Sequence, residues 1–273
     1  PWWTRVKRRF TLFSIPCQEI GGMRAQYPAF WGLPRAGVRY NGRLMYHSLR
    51  GPVARLRKQF PFDAILAAWA YPDAYAAACL AQEFGCPLVT KLMGSDVNDL
   101  STRPELQAKI AWALKSSSRV IAVSDALRVK SLELGVDPAR IVVQHNGVNG
   151  ELFAIRDRKE ARQRLGLPID RKLVVYIGNF YPVKGTDILV AAMEHLAKRR
   201  PDVDLCLVGS GDLEPGLRAR VSSVGLEERI RFMGRQPHDL VPVWMCASDV
   251  FCMPSRNESC PNVVVEAMAS GRP

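Results

Sequence analysis

Long apolar stretches are absent from this sequence. No run of about 18 uninterrupted apolar residues occurs, so a helical membrane span of the usual length is excluded. The opening residues, Pro1-Trp2-Trp3-Thr4-Arg5, offer neither a methionine nor the apolar core of a secretory leader. The chain is therefore expected to be a fragment that begins inside a longer protein. Paired cysteine spacings are missing as well. Cys17, Cys79, Cys86, Cys206, Cys246, Cys252 and Cys260 form no CxxC and no mixed Cys/His ligand pattern. Structural zinc is not expected, and the cysteines read as small apolar residues in a reducing, cytoplasmic compartment. Low-complexity tracts, solenoid-period repeats and recognised nucleic-acid modules (zinc finger, RRM, KH, basic zipper) are lacking too, so no nucleic-acid partner is expected.

Acidic residues are scarce at one end only. Residues 1–60 hold twelve Lys/Arg against one acid, Glu19, whereas the other 213 residues carry a net charge of +1. With Trp2, Trp3, Phe10, Phe13, Phe30 and Trp31 in the same stretch, the segment suits an anionic lipid surface, each cation there contributing about 1 kcal/mol. Charge alone fits a phosphate backbone or a plain solvated face equally well.

What is present is the composition of a globular protein. A hydrophobic content of 48%, a charged content of 23% and 273 residues suit two domains and exclude disorder, collagen and coiled coil. From about residue 62, short apolar runs alternate with amphipathic segments. Strands are predicted at 63–68, 87–92, 119–123 and 141–143, with helices at 73–84, 103–117 and 125–134 between them. Runs that apolar belong to strands covered on both faces, hence to a parallel sheet in a doubly wound α/β domain. The alternation halts at His145-Asn146-Gly147-Val148-Asn149-Gly150, which is turn chemistry. It resumes with helices at 157–165, 186–199, 213–224, 239–247 and from Pro261, and strands at 173–177, 203–208, 230–233 and 249–252. Two α/β domains, 1–150 and 151–273, are expected to face a cleft, with ligands at the carboxyl ends of strands. A further strand is expected after the helix that closes at Gly271.

One stretch carries most of the chemistry: Pro254-Ser-Arg-Asn-Glu258-Ser-Cys-Pro261-Asn262-Val263-Val-Val-Glu266. Two carboxylates eight residues apart bracket a helix start, with Pro261 suited to its first position. Unused N–H groups and the helix dipole there attract an anion, and the flanking carboxylates accept hydrogen bonds from sugar hydroxyls. A phosphate between two polyols describes a nucleotide sugar. A second stretch, Gly178-Asn179-Phe-Tyr-Pro-Val-Lys184-Gly185, follows a strand. Its glycine allows close backbone approach and its lysine supplies a point charge for phosphate. A third, Gly209-Ser-Gly211, joins a strand to a helix; without a third glycine it is no dinucleotide fingerprint, and a tight turn explains it equally well.

These stretches resemble the donor-site elements of retaining GT-B glycosyltransferases of family 4 (group 1). The resemblance implies that Glu258 contacts the transferred sugar, Asn262 and Val263 offer backbone N–H to the diphosphate, and Glu266 binds the ribose. It implies that Gly178, Asn179 and Lys184 match the family's G-R-x4-K-G stretch, with Asn179 in the place of its arginine; Arg235 and Arg256 are candidates to compensate. Gly209 would line the nucleotide pocket. Met93-Gly94-Ser95-Asp96 resembles the family's strand-end H-G-x-D segment, with Met93 in the place of histidine. Gly94, Ser95 and Asp96 would then face the acceptor, although an Asp in such a place also serves as a helix cap. Ser124-Asp125 and 146–149 resemble the segments that lead into the interdomain crossover, Asn149 replacing a frequent Asp. Gly21-Gly22 has no strand-loop-helix context and reads as a turn rather than a phosphate loop.

The implied activity is metal-independent, cofactor-free transfer of a hexosyl group from a nucleotide-sugar co-substrate to a glycan or lipid-linked acceptor, in polysaccharide or glycolipid synthesis at the membrane's inner face. A GT-B epimerase or hydrolase, and a nucleotide-sugar binder without turnover, are the rival readings.

Overall fold

The structure, a computed structural model, describes residues 17–273. The sequence features at Trp2, Trp3, Arg5, Lys7, Arg8, Arg9, Phe10 and Phe13 lie outside the described residues. Two compact units divide between His145 and Asn146.

The first unit is built on a parallel sheet of β3 (Ile65–Ala68), β4 (Leu88–Leu92), β5 (Arg119–Ala122) and β6 (Ile141–Val143), in the order β3-β4-β5-β6. A hairpin precedes it, β1 (Cys17–Ile20) paired antiparallel with β2 (Met23–Gln26). Gly21 and Gly22 both take positive φ, 56° and 78°, which gives a two-residue turn the twist of its strands. The turn read from the sequence is present.

A long helix, α1 (Asn41–Gln59), follows the hairpin and went unforeseen. It is held to α2 (Tyr75–Phe84) by side chains that bridge the two. Glu83 accepts from Tyr46 at 2.7 Å and from Arg50 at 2.6 Å, and Arg57 donates to the Phe84 carbonyl at 2.6 Å. Arg57 also lies over the rings of Phe62 and Phe84. Part of the basic surplus thus serves docking within the unit. Ala76, Ala77, Ala78 and Ala81 make the buried face of α2 almost flush, which lets it lie close to its neighbours. The remaining elements are α3 (Ser95–Asn98), α4 (Pro104–Lys115) and α5 (Asp125–Glu133).

The second unit alternates more regularly: α6 (Arg158–Leu165), β7 (Lys172–Ile177), α7 (Thr186–Arg199), β8 (Val203–Val208), α8 (Glu214–Ser223), β9 (Ile230–Gly234), α9 (Val241–Ala247), β10 (Val250–Phe251) and α10 (Asn262–Ala269). Its four strands are parallel in the order β10-β7-β8-β9. Alternate residues feed two cores, as the period of a strand requires. Tyr176, Leu205 and Leu207 pack with Leu189, Val190 and Met193 of α7 on one face. Val175, Cys206 and Val208 pack with Val243, Trp244 and Ala247 on the other. Burial pushes the Cys206 thiol up to about 12, the behaviour of a core residue rather than a reactive one. Among the described residues the chain is therefore α/β with two parallel sheets, as its alternation predicted.

At the amino ends of the second unit's strands the charges are tied down. Asp249 is within 2.5 Å of Arg158 and 2.6 Å of Arg162, and accepts from the Leu173 N–H at 2.8 Å. Arg162 is itself buried and donates to the carbonyls of Ala247, Ile169 and Arg171, so one side chain joins α6 to the start of β7 and the end of α9.

Candidate functional site

Strand order places the site. In the second unit the chain steps from β7 to β8 to β9 in one direction, then returns to set β10 on the other side of β7. The loops leaving β7 and β10 therefore lie side by side where the strand order reverses, and ligands of such sheets bind at that point, beyond the carboxyl ends. The loop after β7 carries Gly178, Asn179 and Lys184; the loop after β10 carries Glu258 and leads into α10.

Backbone contacts set the floor. The Gly178 N–H donates to the Val208 carbonyl at 3.0 Å and the Phe180 N–H to that of Ser210 at 3.0 Å, while the Gly209 N–H reaches Gly234 at 2.8 Å. Gly209 has φ 138°, and a Cβ there would collide with the Gly178 carbonyl oxygen. Close packing of two strand-end loops, rather than a loose turn, is what this glycine serves. The Tyr176 hydroxyl donates to the Asn179 carbonyl at 2.9 Å and steadies the same loop. Burial, and less strongly the Glu258 charge, raise that phenol above its ordinary range. A cavity of 260 Å³ opens here, walled by Ile177, Gly178, Asn179, Val208, Gly209 and Arg235.

Lys184 and Glu258, 74 residues apart in sequence, meet directly: Nζ stands 2.6 Å from Oε1. The meeting is enforced by backbone. Gly185 has φ 70°, and a Cβ on it would collide with the Pro254 carbonyl oxygen, while the Arg256 N–H donates to the Val183 carbonyl at 2.8 Å. Two hydroxyls beside this junction, those of Thr186 and Ser255, are buried without a partner.

Helix α10 opens at Asn262 with Pro261 just before it, one position later than the sequence pattern places it. The N–H groups of Asn262 and Val263 belong to the turn that has no partner inside the helix. The Asn262 side chain accepts from Asn146 Nδ2 at 2.8 Å, a brace between residues 116 apart that sequence spacing gave no means of finding. Glu266, one turn on, is half-buried. Burial raises its carboxyl above the usual range, nearby His238 offsetting part of this, and its carboxylate takes no hydrogen bond among the described residues.

The first-unit residues read as an acceptor group divide. Gly94 takes φ 132° at the end of β4 and Ser95 is exposed. Asp96, in contrast, is fully buried. Its carboxylate accepts from the N–H of Gly94 at 2.7 Å, Ala70 at 3.0 Å and Met93 at 3.1 Å. It thus fastens the segments after β3 and β4 together from inside. It is no helix cap, since Gly94 holds that position. Trp69, half-buried at the end of β3, has φ 93°, a strained conformation for a residue with a side chain; nothing in the sequence signals it.

The two candidate compensating arginines also part company. Arg256 is bound by both oxygens of Asp187, at 2.9 and 2.7 Å. Arg235 lines the 260 Å³ cavity, its Nε donating to Ser210 Oγ at 2.7 Å. Among the described residues no cluster of three or more His, Cys, Asp or Glu has the makings of a metal site.

Comparison with known proteins agrees with this division of the chain. The family model "Glycosyl transferases group 1" matches residues 157–273, and "Glycosyltransferase Family 4" matches residues 17–152. D-inositol 3-phosphate glycosyltransferases of Mycobacterium tuberculosis (strain ATCC 25618 / H37Rv) and Mycobacterium bovis (strain ATCC BAA-935 / AF2122/97) are 38% identical over 160 residues, 58% of this chain and 33% of theirs. The match thus spans about a third of the length of these curated relatives. Among solved structures, Anabaena Alr3699/HepE in complex with UDP-glucose aligns with TM-score 0.68 at 27% identity, covering 83% of this chain and 62% of that one. Sucrose-phosphate synthase from Thermosynechococcus elongatus shares the fold, with TM-score 0.77 at 22% identity over 94% of this chain and 66% of its own.

Proposed function

We propose, for a chain that belongs to the family 4 GT-B glycosyltransferases, the retaining transfer of a hexosyl group from a nucleotide sugar to a hydroxyl of a glycan or lipid-linked acceptor. The observation that supports this reading is the Lys184–Glu258 contact beyond the carboxyl ends of β7 and β10, with Asn262 and Glu266 on the helix that the second of those loops enters. Glu258 would accept from hydroxyls of the sugar and Glu266 from the ribose, while Lys184 and the first N–H groups of α10 take the diphosphate. Those donors supply the neutralising role that a divalent cation fills elsewhere. The HepE complex with UDP-glucose supports a uridine diphosphate donor.

In the proposed reaction the bond between the anomeric carbon and the leaving phosphate oxygen breaks. The acceptor hydroxyl attacks from the same face and passes its proton to that oxygen. No side-chain base is needed, which accommodates Met93. Glu258 and Glu266 bind hydroxyls and do not flank a scissile bond, so the paired acids of glycosidases are the wrong analogy.

The test is a calorimetric titration of UDP, GDP and ADP against the chain and its Glu266→Ala variant. Selective UDP binding, weakened at least tenfold in the variant, or about 1.4 kcal/mol, is expected; equal affinities for the three, or a variant that binds like the parent, would refute it. Asn179 and Met93 favour a second reading, a nucleotide-sugar binder without turnover. Acceptor-dependent release of UDP from a UDP-sugar separates the two.

We further propose that the chain works in the cytoplasm, against the inner face of the membrane. Among the described residues no helix is long and apolar enough to cross a membrane. Ile20, Met23, Tyr27, Trp31 and Leu33 are exposed beside Arg24, Arg35 and Arg39, the mixture that suits an anionic lipid interface. Co-sedimentation with anionic but not neutral vesicles is expected, and equal recovery with both would sink the idea.

A further inference from the structure

The loops that follow the four strands of the second unit contain three Lys/Arg residues, Lys184, Arg235 and Arg256. An anionic ligand settling there must draw on them, and they are not equally available. The Lys184 ammonium is 2.6 Å from the Glu258 carboxylate, which cancels its charge until the ligand separates the two. Arg256 is held in a two-pronged pair with Asp187 and also donates to the Pro182 carbonyl; freeing it would break three hydrogen bonds, two of them in a bidentate though solvent-exposed ion pair. Arg235 forms no ion pair among the described residues. Its one contact is from Nε to Ser210 Oγ at 2.7 Å, and Ser210 lies between the two glycines of the loop after β8.

That contact fixes the base of a planar guanidinium and leaves four of its five N–H donors unspent. The same residue walls the 260 Å³ cavity with Gly178, Asn179 and Gly209. Its charge therefore faces a pocket whose floor is main chain and whose other polar walls, Asn179 and Gln236, are neutral.

We infer that Arg235, and not Arg256, supplies the guanidinium that meets the phosphates of the bound nucleotide, in the role that Asn179 leaves vacant. The inference rests on the nucleotide-sugar reading of the site and assigns a residue to it. Arg235 reaches the ligand at no cost in broken ion pairs, whereas Arg256 holds the start of α7 through Asp187.

Ligand truncation tests it. UDP, UMP and uridine would be titrated calorimetrically against the parent chain and the variants Arg235→Ala, Arg256→Ala and Asn179→Arg/Arg235→Ala, with circular dichroism to confirm folding. Arg235→Ala is expected to weaken UDP at least tenfold, UMP less, and uridine less than twofold. Arg256→Ala should change UDP affinity less than threefold, and the double variant should recover most of the loss. Equal weakening of UDP and uridine would assign Arg235 to the base or to packing and overturn the inference. A larger UDP effect at Arg256 would overturn it as well. A folded parent chain that binds uridine and UDP equally, or neither, would refute the nucleotide-sugar reading itself, and this assignment with it.

Discussion

The two ends of the second unit's sheet are built from the same residue types and treat them in opposite ways. At the amino end two carboxylates are each held by several partners. Asp249 meets Arg158, Arg162 and the Leu173 N–H, and Asp204 is surrounded by Arg171, Arg229 and Arg231. At the carboxyl end Lys184 and Glu258 have one another, and among the described residues the Glu266 carboxylate takes no hydrogen bond, Arg235 has no counter-ion and the hydroxyls of Thr186 and Ser255 have no partner. Buried polar groups ordinarily find partners because leaving them without costs about 1–3 kcal/mol each. Saturation at one end contrasts with the sparser pairing at the other, where the proposed donor would bind.

The largest effect expected from breaking this contrast is at Asp249. Replacing it by Ala strands the buried Arg162 guanidinium, and loss of one partner of a buried pair costs about 3–5 kcal/mol. Urea unfolding should show that loss, while nucleotide affinity of the folded fraction stays as it was. Although burial opposes ionisation, the Leu173 N–H and the Arg162 guanidinium hold the Asp249 carboxyl below its usual range. Its contribution is therefore present above the unfolded-state pKa, about 3.9, and fades as pH falls through the folded value. An acid-unfolding midpoint unchanged in the variant would contradict this.

Glu266→Gln should act in the reverse sense, with a smaller change in stability. A carboxyl raised by burial binds its proton more tightly when folded, so its ionisation weakens the fold as pH rises. The glutamine variant is expected to melt higher at pH 7, with the advantage vanishing below the ordinary carboxyl range, yet to bind UDP at least tenfold more weakly. A variant that loses both stability and affinity would place Glu266 with the fold-holding groups. The smallest effect is expected at Thr186→Val, which exchanges an orphaned hydroxyl for a methyl; stability should shift by less than about 1 kcal/mol, and upward. A larger loss would mean that an ordered water satisfies the hydroxyl.

Sequence alone carried most of the second unit's elements, because its strands are largely apolar runs such as Val203–Val208, interrupted only by Asp204 and buried at every residue. The stretches that make up the candidate site were legible too, since each is contiguous and lies at a strand end or helix start. The hairpin and α1 escaped for physical reasons. Helix α1 contains Pro52, Gly42 and Gly51, all poor helix formers, and it owes its place to Glu83 and Phe84 on α2, contacts that no local pattern encodes. The inward turn of Asp96 was hidden likewise: the N–H groups that take its carboxylate include Ala70, 26 residues away. Lys184 and Glu258 were legible singly, but their mutual contact depends on the main chain of Gly185 against that of Pro254.

The glycine-on-carbonyl packing at Gly185 and Gly209 has an evolutionary corollary. Main-chain surfaces have no side chain to exchange, so substitution cannot recontour the bottom of this pocket without forcing its loops apart. Variation falls instead to the side chains around that packing, Ile177, Asn179, Val208, Arg235, Gln236 and Val241. A pocket of that construction is a fixed socket with an interchangeable collar, and changes to what it accepts are expected from those positions rather than from the glycines.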